Sequence, residues 1–295
     1  PEDRVMLVPA AEGTFFEDGA PDWTVVGARI RALAHLALGK SCILVMPFSA
    51  AVARTSRRAD FAAGISEVEV GSRVDLHAVG LQLAVQGYRR ADLVTEIGQF
   101  SIRGGLLDVW PPAQTTPVRI ELFDDEVDSI RAFDVESQRS TEQIQRVLLP
   151  PGREVLIGGR GEQVADVLQA HLDEQAEALR AQVRAPDADA LELRVGDHLS
   201  AMRQNAAFDG MEYYLPHLVR EESCLLDWLP SDALVVWDEP NLSKSNWDRL
   251  QEELAEVHQT RARRGQALAL DRNHHVSFDR GRESILKRRA VLMSS

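Results

Sequence analysis

Two short stretches carry residue types that could bind and hydrolyse a nucleotide. Gly39-Lys40-Ser41 lies in "ALGKSCILVMPFSA", residues 37–50, and Asp238-Glu239 ends the run "DALVVWDEP", residues 232–240. A phosphate-binding loop needs G-x-x-x-x-G-K-[ST] between a strand and a helix, so that loop amides and the helix N-terminus hold the phosphates. Here the first glycine of that pattern falls on Ala34, and the order is helix, triplet, strand. Gly39 therefore reads as a helix stop, and Lys40 as a last-turn cation favoured by the helix dipole. An acidic pair at the end of an apolar strand is where an ATPase holds Mg²⁺ and activates water. With no phosphate loop to serve, Asp238-Glu239 reads first as a strand running into a polar turn at Pro240-Asn241. His274-His275 offers metal-ligating nitrogens, but adjacent side chains on a strand leave by opposite faces and no third ligand is evident. No nucleophile–base pair shows a diagnostic spacing.

The composition narrows the classes further. The 295 residues suffice for a sizeable core and two or three domains. A net charge of −13 argues against non-specific DNA binding through a broad basic face, because phosphate neutralisation needs clustered Lys and Arg. The chain reads as one that meets proteins. Its apolar runs fall far short of the ~20 residues of a membrane span, so no membrane partner is expected. No signal peptide is visible. Two cysteines, Cys42 and Cys224, make neither a disulfide framework nor a zinc site, which suits a reducing cytoplasm. The chain opens at Pro1 without Met, as expected of a fragment.

Residues 22–38 carry Val26, Ile30, Leu33 and Ala37 at helical spacing, with Asp22 as N-cap and Gly39 as stop. "CILVMP" follows as a strand expected to be covered on both faces, and helix followed by strand indicates an α/β sheet. Residues 74–86 predict a further helix. After Gly87, "DLVTEIGQFSIRGGLLDVWPP", "VRIELFDDE" and "VDSIRAFD" predict a small antiparallel sheet with one buried and one wet face. Phe100 and Ile102 take its apolar face; Gln99, Ser101 and Arg103 take the wet one. Gly104-Gly105 predicts a bulge or a close backbone approach, and Asp124-Asp125-Glu126 a turn. From Gly161, Val164, Val167, Leu168, Leu172, Leu179 and Val183 line a long helix, "APDADA" (185–190) reads as a loop, and Ser245 as the cap of a helix through Trp247, Leu250, Leu254 and Val257. "CLLDWLPSDALVVWDEP" reads as a turn and a second buried strand.

Residues 87–140 hold the most distinctive text: "GYRR", "GQFSIRGGLLDVWP", "VRIELFDDEVDSIRAFD" and "SQRS". These segments resemble the domain shared by the excision-repair protein UvrB and the bacterial transcription-repair coupling factor. "LLPPGRE" (148–154) looks like its closing segment, and "FDGMEYYLP" (208–216) and "LLDWLP" (225–230) also resemble the family. "VMLVPAAEGTFF" lacks the Tyr-rich hairpin that precedes this point in UvrB, and "MEYYLP" leans to the coupling factor. The resemblance implies an α/β fold in which a degenerate RecA-like, P-loop-type domain carries an inserted small antiparallel β-rich domain. Residues 1–73 are expected to be the latter part of the RecA-like domain, 74–151 the β-rich insert, and 152–295 the returning segment.

In that family the β-domain docks UvrA. Carried over by motif, the contact residues are Arg89, Arg90, Phe100, Arg103 and Gly104; UvrB has a further arginine where this chain has Ser101. The implied function is a non-catalytic adaptor that recruits UvrA to stalled RNA polymerase, on a surface masked until the motor of the longer protein engages. RNA polymerase, DNA, ATP and Mg²⁺ would be bound by other parts of that protein, an ATP-dependent DNA translocase, with no cofactor in this chain. The helicase Asp-Glu of UvrB falls at Asp238-Glu239, so the same resemblance leaves open a UvrB-like helicase piece with a residual ATP site. A stand-alone protein that borrows the docking domain is the third reading.

Overall fold

The computed structural model describes residues 4–11, 22–219, 223–270 and 273–294. The expectations placed on Pro1 and on "VMLVPAAEGTFF" beyond Ala11 lie outside them. The first half of the chain runs β1 (Val5–Leu7), α1 (Trp23–Ala37), β2 (Ile43–Val45), α2 (Phe48–Val52), α3 (Arg58–Ala63), β3 (Ser66–Glu69), α4 (Leu76–Val85), β4 (Arg89–Arg90), β5 (Gln99–Arg103), β6 (Leu106–Val109), β7 (Val118–Phe123), β8 (Glu126–Phe133), β9 (Ser140–Ile144) and β10 (Arg146–Leu149). Then come α5 (Gly161–Ala181), α6 (Ala185–Arg203), α7 (Leu215–Leu218), β11 (Leu234–Asp238), α8 (Pro240–Arg263), α9 (Phe278–Leu286) and β12 (Arg289–Met293). Two compact units divide the chain: Pro1–Pro9, Asp22–Val45 and Arg58–Leu156 in one, Ala10–Pro21, Met46–Arg57 and Ile157–Ser295 in the other. The fold is mixed α/β.

In the first unit the local signals act as read. Asp22 Oδ1 accepts from Thr24 N and Val25 N at the start of α1. At its end Gly39 takes φ +67°, Gly39 N donates to Leu36 O, and Lys40 N donates to His35 O. Those two bonds are a Schellman stop, which favours glycine at the left-handed position. Gly39-Lys40-Ser41 is thus spent on ending a helix. Asp75 caps α4 through His77 N and Ala78 N in the same way.

A six-stranded sheet in the order β4-β5-β6-β7-β8-β9 forms the body of this unit. All its pairings are antiparallel except β4–β5, which is parallel, a departure from the purely antiparallel sheet expected. Phe100, Leu107, Ile120 and Ile130 face one core with Leu83 and Tyr88. Each such fully buried side chain stabilises by roughly 1.5–3 kcal/mol relative to exposure. Helix α4 closes that face: a Cβ on Gly80 would meet Ile102 Cδ1 at 2.6 Å. The opposite face is polar and only partly wet: Arg103 is exposed on it, as expected. Gln99 and Ser101 are buried beneath the 91–98 segment, with Ser101 Oγ donating to Asp92 O at 2.9 Å and Gln99 Oε1 accepting from Thr95 N and Glu96 N. Asp124, at φ +58°, makes the expected turn between β7 and β8.

In the second unit α5 and α6 form an antiparallel hairpin so close that a Cβ on Gly161 would meet Met202 O at 1.6 Å. Val164, Leu168, Leu172 and Leu179 are buried along α5, whereas Val167 and Val183 are exposed, Val183 beyond the helix end at φ +62°. "APDADA" is the first part of α6 rather than a loop. Pro186 sits in the first turn, where its missing N–H costs nothing, and Asp187 pairs with Arg184 at 2.7 Å. Helix α8 begins at Pro240, five residues before the expected cap. Ser245 lies inside it, its Oγ donating to Asn241 O. Phe48, Trp237, Trp247 and Phe278 pack as a ring cluster, with Phe48 stacked on Trp237 at 5.4 Å. "MEYYLP" runs from a mostly buried 3-10 turn into α7, and "LLDWLP" begins with another such turn; Trp228 Nε1 donates to Ser56 O.

The two strands expected to be covered on both faces are not. β2 pairs in parallel with β1 and leaves Ile43 and Val45 exposed. β11 pairs in parallel with β12; Val235 and Trp237 pack inward while Leu234, Val236, Val291 and Met293 stay open. Among the described residues nothing in the chain covers these faces. No helix among the described residues is long and apolar enough to cross a membrane.

Candidate protein-docking surface

The sequence-predicted arginines lie on the first two strands of the six-stranded sheet, Arg89 and Arg90 on β4 and Arg103 at the end of β5. β4 is fixed by Arg89 N donating to Gly98 O and Ala91 N donating to Phe100 O, at 2.8 and 2.9 Å. The Trp23 ring pins the segment beside it, since a Cβ on Gly98 would meet Trp23 Cη2 at 2.4 Å. In this register Arg89 lies opposite Gln99 and Arg90 opposite Phe100. Strand alternation therefore sends the two side chains to opposite faces. Both are exposed. Arg89 Nη2 pairs with Glu96 Oε2, and Gln99 Nε2 donates to the same oxygen at 3.2 Å. The Arg90 side chain forms no ion pair among the described residues.

Arg103 ends β5 beside the Gly104-Gly105 turn. Gly104 is exposed at φ +60°, and a Cβ on Gly105 would meet Leu122 O at 2.9 Å. The pair is a tight hairpin turn with a close backbone approach. Phe100 lies in the core at 1% exposure, so it fixes β5 from behind rather than presenting a contact.

One residue of this region was not picked out from sequence. Asp108, in the middle of β6, is 1% exposed and stands opposite Ser101 and Arg119. Its carboxylate accepts from Arg119 Nε at 2.7 Å, from Arg119 Nη2 at 2.8 Å and from Arg103 Nη2 at 2.8 Å. The Asp108 hydrogen bond raises the Arg119 pKa above its ordinary value, outweighing burial. Glu121, on the same face, also acts on Arg119, so the two guanidinium groups are balanced by two carboxylates. The available signal was a lone acid in "LLDVW", on the polar side of an otherwise apolar strand.

The acidic pair is placed differently. Asp238 is exposed at the end of β11, beside Met293 of β12. Glu239 holds φ +46° and donates its N–H to Met293 O as the chain turns into α8. His274 and His275 are buried, with His274 Nε2 3.1 Å from Tyr213 O. Among the described residues no group of three or more His, Cys, Asp and Glu could hold a metal ion.

A family model of the UvrB interaction domain matches residues 67–154, the span from β3 to the residues that follow β10. The transcription-repair-coupling factor of Myxococcus xanthus is 31% identical over 93% of this chain and 22% of its own length. That of Haemophilus influenzae is 30% identical over 80% of this chain and 19% of its own. The UvrABC system protein B of Chlorobaculum tepidum is 29% identical over 73% of this chain and 32% of its own length. The chain spans about a fifth of the coupling factors it matches.

Proposed function

We propose that this chain, which carries a UvrB interaction domain and is similar over most of its length to part of transcription-repair-coupling factors, is a non-catalytic adaptor that binds UvrA. In this reading it brings nucleotide excision repair to stalled RNA polymerase. The observation that carries it is the coincidence of the matched span with the sheet whose first two strands, and the turn that follows them, carry Arg89, Arg90, Arg103 and Gly104. Arginine suits such a surface because its planar fork pairs bidentately with carboxylates, and it is favoured among interface anchors. Phe100 supports the strand beneath them.

The remaining α/β segments are read as parts of a degenerate RecA-like domain. ATP, Mg²⁺, DNA and RNA polymerase would engage other parts of a longer cytoplasmic protein. The helicase reading keeps one supporting observation, the strand-end position of Asp238-Glu239.

Calorimetry with purified UvrA tests the adaptor reading. Arg90→Glu or Arg103→Glu should weaken binding by about 2 kcal/mol or more without unfolding the chain. Parent-like binding by both variants would remove the docking site from these strands. Micromolar ATP binding lost in Asp238→Ala would favour the helicase reading instead.

A further inference from the structure

We infer that Asp108 is a positioning residue for partner docking: from inside the sheet it holds the Arg103 guanidinium in the orientation that meets a carboxylate on the partner. The inference rests on the proposed UvrA contact through Arg103 and adds a residue that never touches the partner.

The geometry assigns different jobs to the two arginines on this carboxylate. Arg119 is used up internally. Its Nε and Nη2 grip both oxygens of Asp108, its Nη1 donates to Gln138 O at 3.2 Å, and its guanidinium lies 4.8 Å over the Phe133 ring. Arg103 donates only Nη2 to Asp108 and keeps a side chain 48% exposed. Its remaining N–H groups are available to a partner.

A sheet alone does not require this arrangement. A carboxylate at 1% exposure carries a desolvation cost, and well-packed apolar residues often replace buried ion pairs without loss. What the charge adds is direction. An arginine beside a glycine turn otherwise samples many rotamers, and binding has to freeze them. A buried acceptor that is itself clamped by Arg119 performs that ordering before the partner arrives. Arg89 has only the exposed Glu96 for the same purpose, so its orientation is less fixed.

The test is a double-mutant cycle read by calorimetry with UvrA on the full chain. Asp108→Asn should weaken binding about tenfold in the parent background and leave it unchanged in an Arg103→Ala background, as expected of two residues acting through one contact. Because Asp108→Asn strips Arg119 of its counter-charge, Asp108→Asn/Arg119→Gln is measured beside it and should show the same pattern. Equal losses in both backgrounds mean a scaffold role and overturn the inference. Parent-like binding by the Asp108 variants while Arg103→Ala is weakened overturns it alone. Parent-like binding by Arg103→Ala overturns the docking reading and the positioning with it. On the unmutated chain, ¹⁵N relaxation should find the Arg103 Nε–H as rigid as the backbone of β5; a freely mobile guanidinium overturns the inference without any variant.

Discussion

The six-stranded sheet and the β11–β12 pair both end in charged residues that could act, and they hold them by different means. In the sheet, Arg103 stands on a strand paired on both sides, with Phe100 packed behind it and a buried carboxylate orienting its head. At β11 the acids sit at the tip of a two-stranded pair whose outer face is open. Binding and catalysis both need side chains held by their surroundings, because every rotamer left free must be frozen later. The difference teaches where to look for function: the charge that its neighbours fix has a stronger claim than the charge that resembles a motif.

The largest expected effect breaks the sheet itself. Phe100→Ala removes a fully buried ring between β5 and α4 and should cost about 3–5 kcal/mol of stability in urea denaturation. Val236→Ala trims a side chain 54% exposed on the outer face of β11 and should stay within about 0.5 kcal/mol. Comparable losses at the two positions would mean that the open face of β11 is covered in solution, and the contrast between the regions would fail.

That contrast also marks how far the sequence could be read. Helix ends were legible because their signals are local. Asp22 and the Gly39 stop each act on backbone groups within a few residues of themselves. The sheet's alternation was legible because Phe100 and Ile102 on β5, and Val118, Ile120 and Leu122 on β7, recur at period two. Coverage was not. Ser101 looks solvated from its type, yet the 91–98 segment folds back over it. β2 and β11 look doubly buried from composition, but a strand does not encode what lies on it. The arginines of β4 and β5 were named from family resemblance; Asp108 was missed because its partners come from two other strands. The start of α6 was missed because proline and aspartate mark a first helical turn as well as a loop.

A smaller effect sharpens the comparison at the acidic pair. Glu239 holds φ +46°, a left-handed conformation that costs a non-glycine residue about 1 kcal/mol. If the residue only turns the chain from β11 into α8, Glu239→Gly should stabilise by about 0.5–1 kcal/mol in denaturant titration and leave UvrA binding untouched. A loss of stability or of partner binding would show that the carboxylate contributes more than its backbone, and would move the acidic pair up to the standing of the arginines.

The smallest effect tests whether ordering by a fixed neighbour extends to the rim of the sheet. Asp134 begins the turn between β8 and β9 and is exposed, yet its pKa is held below the ordinary carboxylate value, first by the Ser137 hydroxyl at 2.7 Å and then by the Ser137 N–H at 2.8 Å. Both donors favour the ionised form, so the folded chain releases this proton more readily than the unfolded one. Its contribution to stability is therefore present above the ordinary aspartate pKa and is lost as pH falls through the depressed folded value. Ser137→Ala removes the larger cause and keeps the backbone donor. NMR titration of the Asp134 carboxyl should show its pKa rising part of the way back, with the acid limb of the stability curve moving in step. An unchanged titration would mean that solvent exposure overrides the turn, and that ordered charge in this sheet is confined to the cluster around Asp108.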